Sequence, residues 1–408
     1  QAAAAAGLPL EGVKVLDFMW VVAGPWSTRY LADYGATVIK VESPNHVDTS
    51  RTIGPTKDHL PGPERSALFC TVNAGKHGIS LNLGTDAGRD VVMRLVKWAD
   101  VITDSFAAGA MGRFGLGYEA VKAVNPGVIM LSSCLNGQSG PHASLAGFGT
   151  MGLHLAGFGD IVGWADRPPA GAAGAYTDYI APKFTASVLL AALDHRRRTG
   201  EGQYIDFSQA EAAAHFLAPA LLDYFVNGVT QTRRGNRSAT HAPHGIYPAA
   251  GDDRWVAIVC TSEGQWNALA VAAERREWLT DPRFATREAR VTNGDALDQV
   301  IGAWSAQLSV DDLESRLQAS GVPCHRVTTT FDVLADPQLA HRGHFITVDH
   351  PEVGSVPIES SRLRLSRTPA RVPSAAPTMG QHNEFVLRDI LGLSDDQVVE
   401  VVAGGALE

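Results

Sequence analysis

The stretch Gly174-Ala-Tyr-Thr-Asp178-Tyr-Ile-Ala-Pro-Lys-Phe184 carries a lone carboxylate in a glycine- and alanine-rich approach to a long apolar run. A carboxylate in such company can act as a nucleophile or as an acid and base. Pro182 suits the first turn of a helix, where its missing N–H costs nothing, and Phe184 to Leu193 is apolar enough for a buried helix over 182–199. Asp178 then stands a few residues ahead of a helix N-terminus, where backbone N–H groups and the helix dipole favour negative charge. The stretch alone leaves two roles open, a chemical one and simple stabilisation of that helix.

Other residue patterns have less behind them. Gly147-Phe-Gly149-Thr-Met-Gly152 fits G-x-G-x-x-G, but it lies well past the nearest strand and lacks the strand–turn–helix setting that seats a pyrophosphate, which argues against a nicotinamide site. The pairs His241/His244 and His341/His344 have H-x-x-H spacing without a zinc signature, and Ala242-Pro243 and Arg342-Gly343 read as loops, so no metal site is expected. Cys134 follows a strand, has no assignable histidine partner and reads as a buried structural thiol.

Composition narrows the classes. The chain of 408 residues is 45% hydrophobic and 19% charged, enough for a large core and for two or three domains. A net charge of -9 argues against a nucleic-acid partner, and the basic run Arg196-Arg197-Arg198 reads as the solvated end of a helix. Cys70, Cys134, Cys260 and Cys324 are too scattered for a metal or a disulfide framework, and a reducing cytoplasm suits them. The apolar run ending at Leu193 falls far short of the roughly 20 residues of a membrane span. Gln1 to Gly7 lacks the charged and apolar regions of a secretory signal and reads as a frayed tail.

Strand-type runs alternate with helical ones: Val13 to Phe18, a helix to Tyr34 stopped by Gly35, Thr37 to Val41, then Gly78 to Leu83. A helix from about Ala87 to Trp98 behind Thr85 and Asp86 leads to Val101 to Thr103, and a helix near Tyr118 to Val124 to Val128 to Ser133. This order predicts an α/β fold with a mostly parallel, Rossmann-like sheet and ligands at the carboxyl ends of its strands. A polar stretch, 226–244, separates residues 8–225 from a smaller α+β domain over 245–335 that opens with the strand Trp255 to Val259 and closes near Val322 to Val327. Residues 336–408, with a terminal helix around Asn383 to Leu393, are expected to return to the large domain.

Several short motifs occur in a fixed order: Leu16-Asp-Phe18, Ala23-Gly24-Pro25, Leu31-Ala-Asp-Tyr-Gly-Ala-Thr-Val-Ile-Lys-Val-Glu42, Asn73-Ala-Gly-Lys76 and Arg198-Thr-Gly-Glu-Gly-Gln203. Together the chain resembles the family III CoA-transferases, the carnitine and formyl-CoA transferase group that also holds the α-methylacyl-CoA racemases. The similarity runs from about Leu10 to the C-terminus. It implies transfer of CoA from an acyl-CoA to a carboxylic acid, with Asp178 as the nucleophile, through an aspartyl mixed anhydride and an aspartyl-CoA thioester. It further implies a CoA thioester as substrate with no permanently bound cofactor, and an interlaced homodimer. By the same resemblance the CoA channel takes in Val22 and Ala23, Asn73, Ala74, Gly75 and Lys76, and Ser105 with Phe106. Lys76 and Arg113 stand as phosphate contacts or as solvated cations, and Phe106 as an adenine platform or a core residue. Phe148 and Gly149 fall in the substrate region.

The chain also departs from the family pattern. Val22 replaces a polar residue before the Gly-Pro turn, Ser43 a basic residue after the second strand, and Ser105-Phe-Ala-Ala-Gly109 the Asn-Phe-x-Pro-Gly pattern. Where the formyl-CoA transferases have an acid and the racemases a histidine–aspartate pair, this chain has Phe148 and Gly149. Racemisation needs a second titratable group there, so transfer is favoured over an α-methylacyl-CoA racemase. The glycine-rich loop of the formyl-CoA branch is not evident in 226–244, which makes oxalate and formate unlikely acids, and the Tyr176-Thr-Asp-Tyr-Ile-Ala-Pro-Lys183 segment looks more like the branch that handles larger dicarboxylic or aromatic acids such as benzylsuccinate. A CoA-binding subunit without its own chemistry is the remaining alternative, and retention of Asp178 speaks against it.

Overall fold

The computed structural model of the protein describes residues 7–171 and 174–408; of the expected N-terminal tail, only Gly7 falls within them. Two compact units emerge, one made of the described residues up to 159, 171–230 and 338–408, the other of 160–170 and 231–337.

The first unit is built on six strands, β1 (Lys14–Phe18), β2 (Thr37–Glu42), β3 (His77–Ser80), β4 (Val101–Asp104), β5 (Ile129–Cys134) and β6 (Tyr204–Ser208). They form one parallel sheet in the order β3-β2-β1-β4-β5-β6. The order reverses between β1 and β4, and there the loops leaving the two strands diverge to opposite sides and open a crevice.

Alternate residues of the central strands feed two cores. Leu16 and Phe18 of β1 pack with Val91, Val92 and Leu95 on one face, while Val15, Val101 and Leu131 pack with Leu31, Leu189 and Ala192 on the other. Both faces are covered, so these strands are nearly continuous apolar runs. Along the chain these strands alternate with, and are followed by, the helices α1 (Ala23–Asp33), α2 (Ala67–Asn73), α3 (Asp86–Trp98), the short α4 (Ala110–Arg113), α5 (Tyr118–Val124), α6 (Gly149–Leu155), the single-turn α7 (Phe158–Ile161) at the boundary of the two units, α8 (Tyr176–Thr199), α9 (Gln209–Ala214) and α10 (Ala218–Asn227). Thr85 caps α3, its hydroxyl accepting from the Gly88 N–H.

Helix α8 corrects two expectations. It starts at Tyr176, ahead of Pro182, which sits inside it. The turn before the proline is held from outside: Thr177 Oγ1 donates to the Gly149 carbonyl at 3.0 Å, and Ile180 and Ala181 are buried. Proline has no N–H to return to the carbonyl four residues back, which is that of Asp178. Nor is α8 buried all round, since Tyr179 and Leu190 on its far side are 43% and 46% exposed.

In the second unit, β7 (His244–Pro248), β8 (Trp255–Val259) and β9 (Cys324–Arg326) make an antiparallel sheet in that order. Its core stacks Trp266 on Trp278, with ring centroids 6.0 Å apart, and sets Trp304 edge-on against Trp278. The C-terminal segment belongs to the first unit, where β10 (Phe345–His350) and β11 (Gly354–Glu359) form an antiparallel pair whose Val356 and Ile358 pack on Ala74. The terminal helix expected near 383–393 is only a helical turn, Asn383–Phe385, running into a π-type turn, Val386–Ile390. A separate helix, Asp395–Ala403, follows behind a Ser394/Gln397 capping box. Among the described residues no helix is long and apolar enough to cross a membrane.

Candidate active site

The crevice at the sheet reversal is a cleft of about 290 Å³. The loop after β1 (Trp20 to Gly24), the loop after β4 (Ser105 to Ala107), Ser133 and Cys134 at the end of β5, the 143–149 segment, Gln209 and Asp178 line it. Seven residues singled out from the sequence thus meet in one place: Val22, Ala23, Ser105, Phe106, Phe148, Gly149 and Asp178.

Asp178 occupies the third position of α8, behind the capping residue Ala175. It is 7% exposed, and its carboxylate has no hydrogen-bond partner among the described residues. Burial pushes its pKa up to about 6. Ahead of it, the glycines of the G-x-G-x-x-G stretch have a packing role. A Cβ on Gly149 would come 2.5 Å from Asp178 Oδ1 and 2.8 Å from Thr177 Oγ1, and one on Gly152 would come 2.7 Å from Leu135. Side chains at these positions would push α6 off the start of α8, so glycine here sets how closely Asp178 is approached.

The wall formed by residues 19–25 is fixed by buried polar groups. Asp17 Oδ1 accepts from the Met19 N–H at 3.0 Å, and Lys40 Nζ donates to the Met19 carbonyl at 2.7 Å. The Ser105 hydroxyl accepts from the Trp20 N–H at 2.8 Å, and Asp48 Oδ1 accepts from the Val21 N–H at 2.9 Å. Lys40 and Asp48 pair at 2.9 Å with both side chains 0% exposed. Burial works against charge on each; the neighbouring carboxylates, Asp48 first, nonetheless hold the Lys40 pKa above its usual value, and Lys40 holds that of Asp48 below. Helix α1 then rises against α8, with Ser27 Oγ and Thr185 Oγ1 2.6 Å apart and the Trp26 and Tyr179 ring centroids at 5.6 Å.

Lys76, read from the sequence as a phosphate contact or a solvated cation, is not solvated and lies outside the cleft lining. Its side chain is 0% exposed, and its Nζ donates to Asp17 Oδ2 at 2.9 Å, to the Pro25 carbonyl at 2.8 Å and to Asn73 Oδ1 at 2.9 Å. With its three donors used inside the protein it has none for a ligand, and burial lowers its pKa to about 8. Asn73 and Ala74 are likewise fully buried, and Gly75 turns at φ 79° against Pro373. The Asn73–Lys76 segment therefore braces the loop from beneath and lines no part of the cleft. Arg113, on the exposed end of α4, is not among the lining residues either. Phe106 lines the cleft and packs edge-on against Trp20, ring centroids 5.4 Å apart. Cys134 lies on the cleft wall; its Sγ is 3.0 Å from the Gly137 carbonyl, and burial raises its pKa.

Sequence reasoning missed Asp17, Lys40, Asp48 and Gln209. The signal for the first two was present, since a charged residue inside an otherwise apolar strand run has to find a buried partner.

Comparison with known proteins accords with this geometry. The sequence matches CoA-transferase family III over residues 10–383. It is 35% identical over 395 residues to the succinyl-CoA–D-citramalate CoA-transferase of Chloroflexus aurantiacus, covering 97% of both chains. It is 32% identical to the succinate–glutarate CoA-transferase of Agrobacterium fabrum, over 94% of this chain and 96% of the other. The structure of a CAIB/BAIF family protein from Brucella suis superposes with a TM-score of 0.86 at 34% identity, over 94% of this chain and all of that one. The chain belongs to CoA-transferase family III.

Proposed function

We propose that this CoA-transferase moves CoA from an acyl-CoA to a free carboxylic acid by a covalent relay on Asp178. The observation that carries the reading is the carboxylate itself, buried and without a partner among the described residues on the wall of the switch-point cleft. One Asp178 oxygen attacks the thioester carbonyl carbon, a C–O bond forms, the C–S bond breaks, and CoA leaves as thiolate from a mixed anhydride. The thiolate then attacks the Asp178 carbonyl carbon, giving the enzyme thioester and freeing the donor acid. The acceptor carboxylate and the same thiolate repeat the two steps in reverse and restore Asp178. No proton, electron or water is consumed, and a carboxylate suits the relay because each adduct is itself an activated acyl compound. Water has to be kept from the anhydride, which the apolar lining by Val22, Leu135, Leu145 and Phe148 favours.

Proton exchange at an α-carbon would need a second acid or base beside Asp178, where the chain has Gly149 and Phe148. That supports transfer over racemisation. The relatives include the alpha and beta subunits of the succinyl-CoA–L-malate CoA-transferase of Chloroflexus aurantiacus, at 30% and 28% identity. Retention of the carboxylate favours a self-sufficient chain, assembled as an interlaced homodimer. Intact mass spectrometry after mixing with a panel of acyl-CoAs tests the relay. The wild type is expected to gain a CoA-sized adduct with a competent donor and Asp178→Ala to gain none; an adduct that survives the substitution rejects Asp178.

A further inference from the structure

The loop that faces Asp178 contains backbone donors with nothing to donate to. Val22, Ala23 and Gly24 are buried, and among the described residues none of their N–H groups has a partner. Orphaned buried N–H groups are rare in folded proteins. These three open α1 and line the same cleft as Asp178, itself 7% exposed and also unpartnered among the described residues. Carboxylate and donors share the cleft without bonding each other, so an acyl carbonyl placed between them would meet a nucleophile on one side and N–H groups on the other.

The loop is also strained. Val21 sits at φ 70°, a left-handed conformation that is a genuine outlier for a β-branched side chain. The surrounding bonds show what maintains it. Asp48 Oδ1 takes the Val21 N–H, Lys40 holds the Met19 carbonyl, and the two side chains pair out of contact with solvent. The first turn of α1 has no acidic side chain of its own to orient it, and Lys76 ties down its Pro25 carbonyl.

We propose that the first-turn N–H groups of α1 are the oxyanion donors for acyl transfer, and that Lys40 and Asp48 are positioning residues that aim them into the cleft by holding Val21 left-handed. The inference rests on Asp178 as nucleophile. As its oxygen adds to the thioester carbonyl, the carbonyl oxygen gains the charge; the donors stabilise that oxyanion until the C–S bond breaks and CoA departs as thiolate. Donors set in place before the reaction act on the transition state more than on the bound thioester, so their loss falls on kcat.

The test uses the full chain with a donor and acceptor pair found by the adduct screen. Lys40→Met/Asp48→Ala removes both buried charges together, which avoids stranding one of them. On protein shown to be folded by circular dichroism, kcat is expected to fall about 100-fold, the size of a lost oxyanion donor, with KM for acyl-CoA within about threefold. Adding Val21→Gly, which adopts a positive φ without strain, is expected to return at least about tenfold of kcat. If the double variant does not fold, Lys40→Met/Asp48→Asn keeps an oxygen facing the Val21 N–H while removing both charges, and its kcat is expected to fall about tenfold at unchanged KM. Wild-type kcat in these variants, a loss confined to KM, or no recovery on adding Val21→Gly overturns the positioning role. A CoA adduct on Asp178→Ala overturns the nucleophile as well, so the two failures are told apart.

Discussion

At the residue scale, an ionised carboxylate with 7% exposure and no partner among the described residues works against folding. Its folded pKa of about 6 stands above the ordinary 3.8, so the stabilising form is the protonated one. That contribution is fully present below about pH 4 and is lost as pH rises through about 6. A two-unit shift corresponds to about 3 kcal/mol. Asp178→Asn, which cannot ionise, is therefore expected to be the more stable protein by up to about 3 kcal/mol near pH 8, with the gain vanishing towards pH 4. Thermal melts of the two proteins across that range measure it, and a wild type more stable than the variant near pH 8 contradicts it. Chemistry should follow the same group in the opposite sense. The rate of CoA adduct formation is expected to fall as pH drops through about 6, when the nucleophile takes up its proton.

At the element scale, α8 delivers Asp178, and it is held by one face. Leu189 is 0% exposed in the core it shares with β1, β4 and β5, whereas its neighbour Leu190 is 46% exposed. Leu189→Ala should cost about 2–5 kcal/mol in urea unfolding through lost burial and the cavity left behind. Leu190→Ala should cost the folded chain within about 0.5 kcal/mol as an exposed change. Equal losses would mean that α8 is packed on both sides. The pattern of this helix also explains the misplaced start in the sequence reading. Proline statistics put Pro182 in a first turn, but the Thr177 bond to Gly149 comes from a segment 28 positions away and carries the helix two turns further back.

At the scale of the whole molecule, the resemblance implies two interlaced chains. Light scattering on a sizing column is expected to give a mass near twice that of the 43.3 kDa chain, and a monomer active in CoA transfer would refute the assembly. The exposed groove between α1, α8 and the 361–365 segment, where Tyr30, Tyr34, Leu190 and Leu363 come together, is an apolar surface of the kind subunits cover.

The alternation of strand and helix signals was enough to fix the parallel sheet, because strands buried on both faces are written as local apolar runs with caps and stops between them. The order of short motifs pointed to Asp178 among 43 acidic residues, and the fold puts it on the wall of the cleft. Lys76 could not be read that way. In sequence it is a lysine beside a glycine; only the fold brings Asp17, Pro25 and Asn73 to within 2.9 Å of its amine and turns a supposed ligand contact into a brace. The same holds for Lys40, Asp48 and the left-handed Val21, whose partners lie in different elements. Local pattern records which residues need burial or a cap, and tertiary structure alone decides which buried charge meets which, because that depends on the crossing of strands and loops distant along the chain.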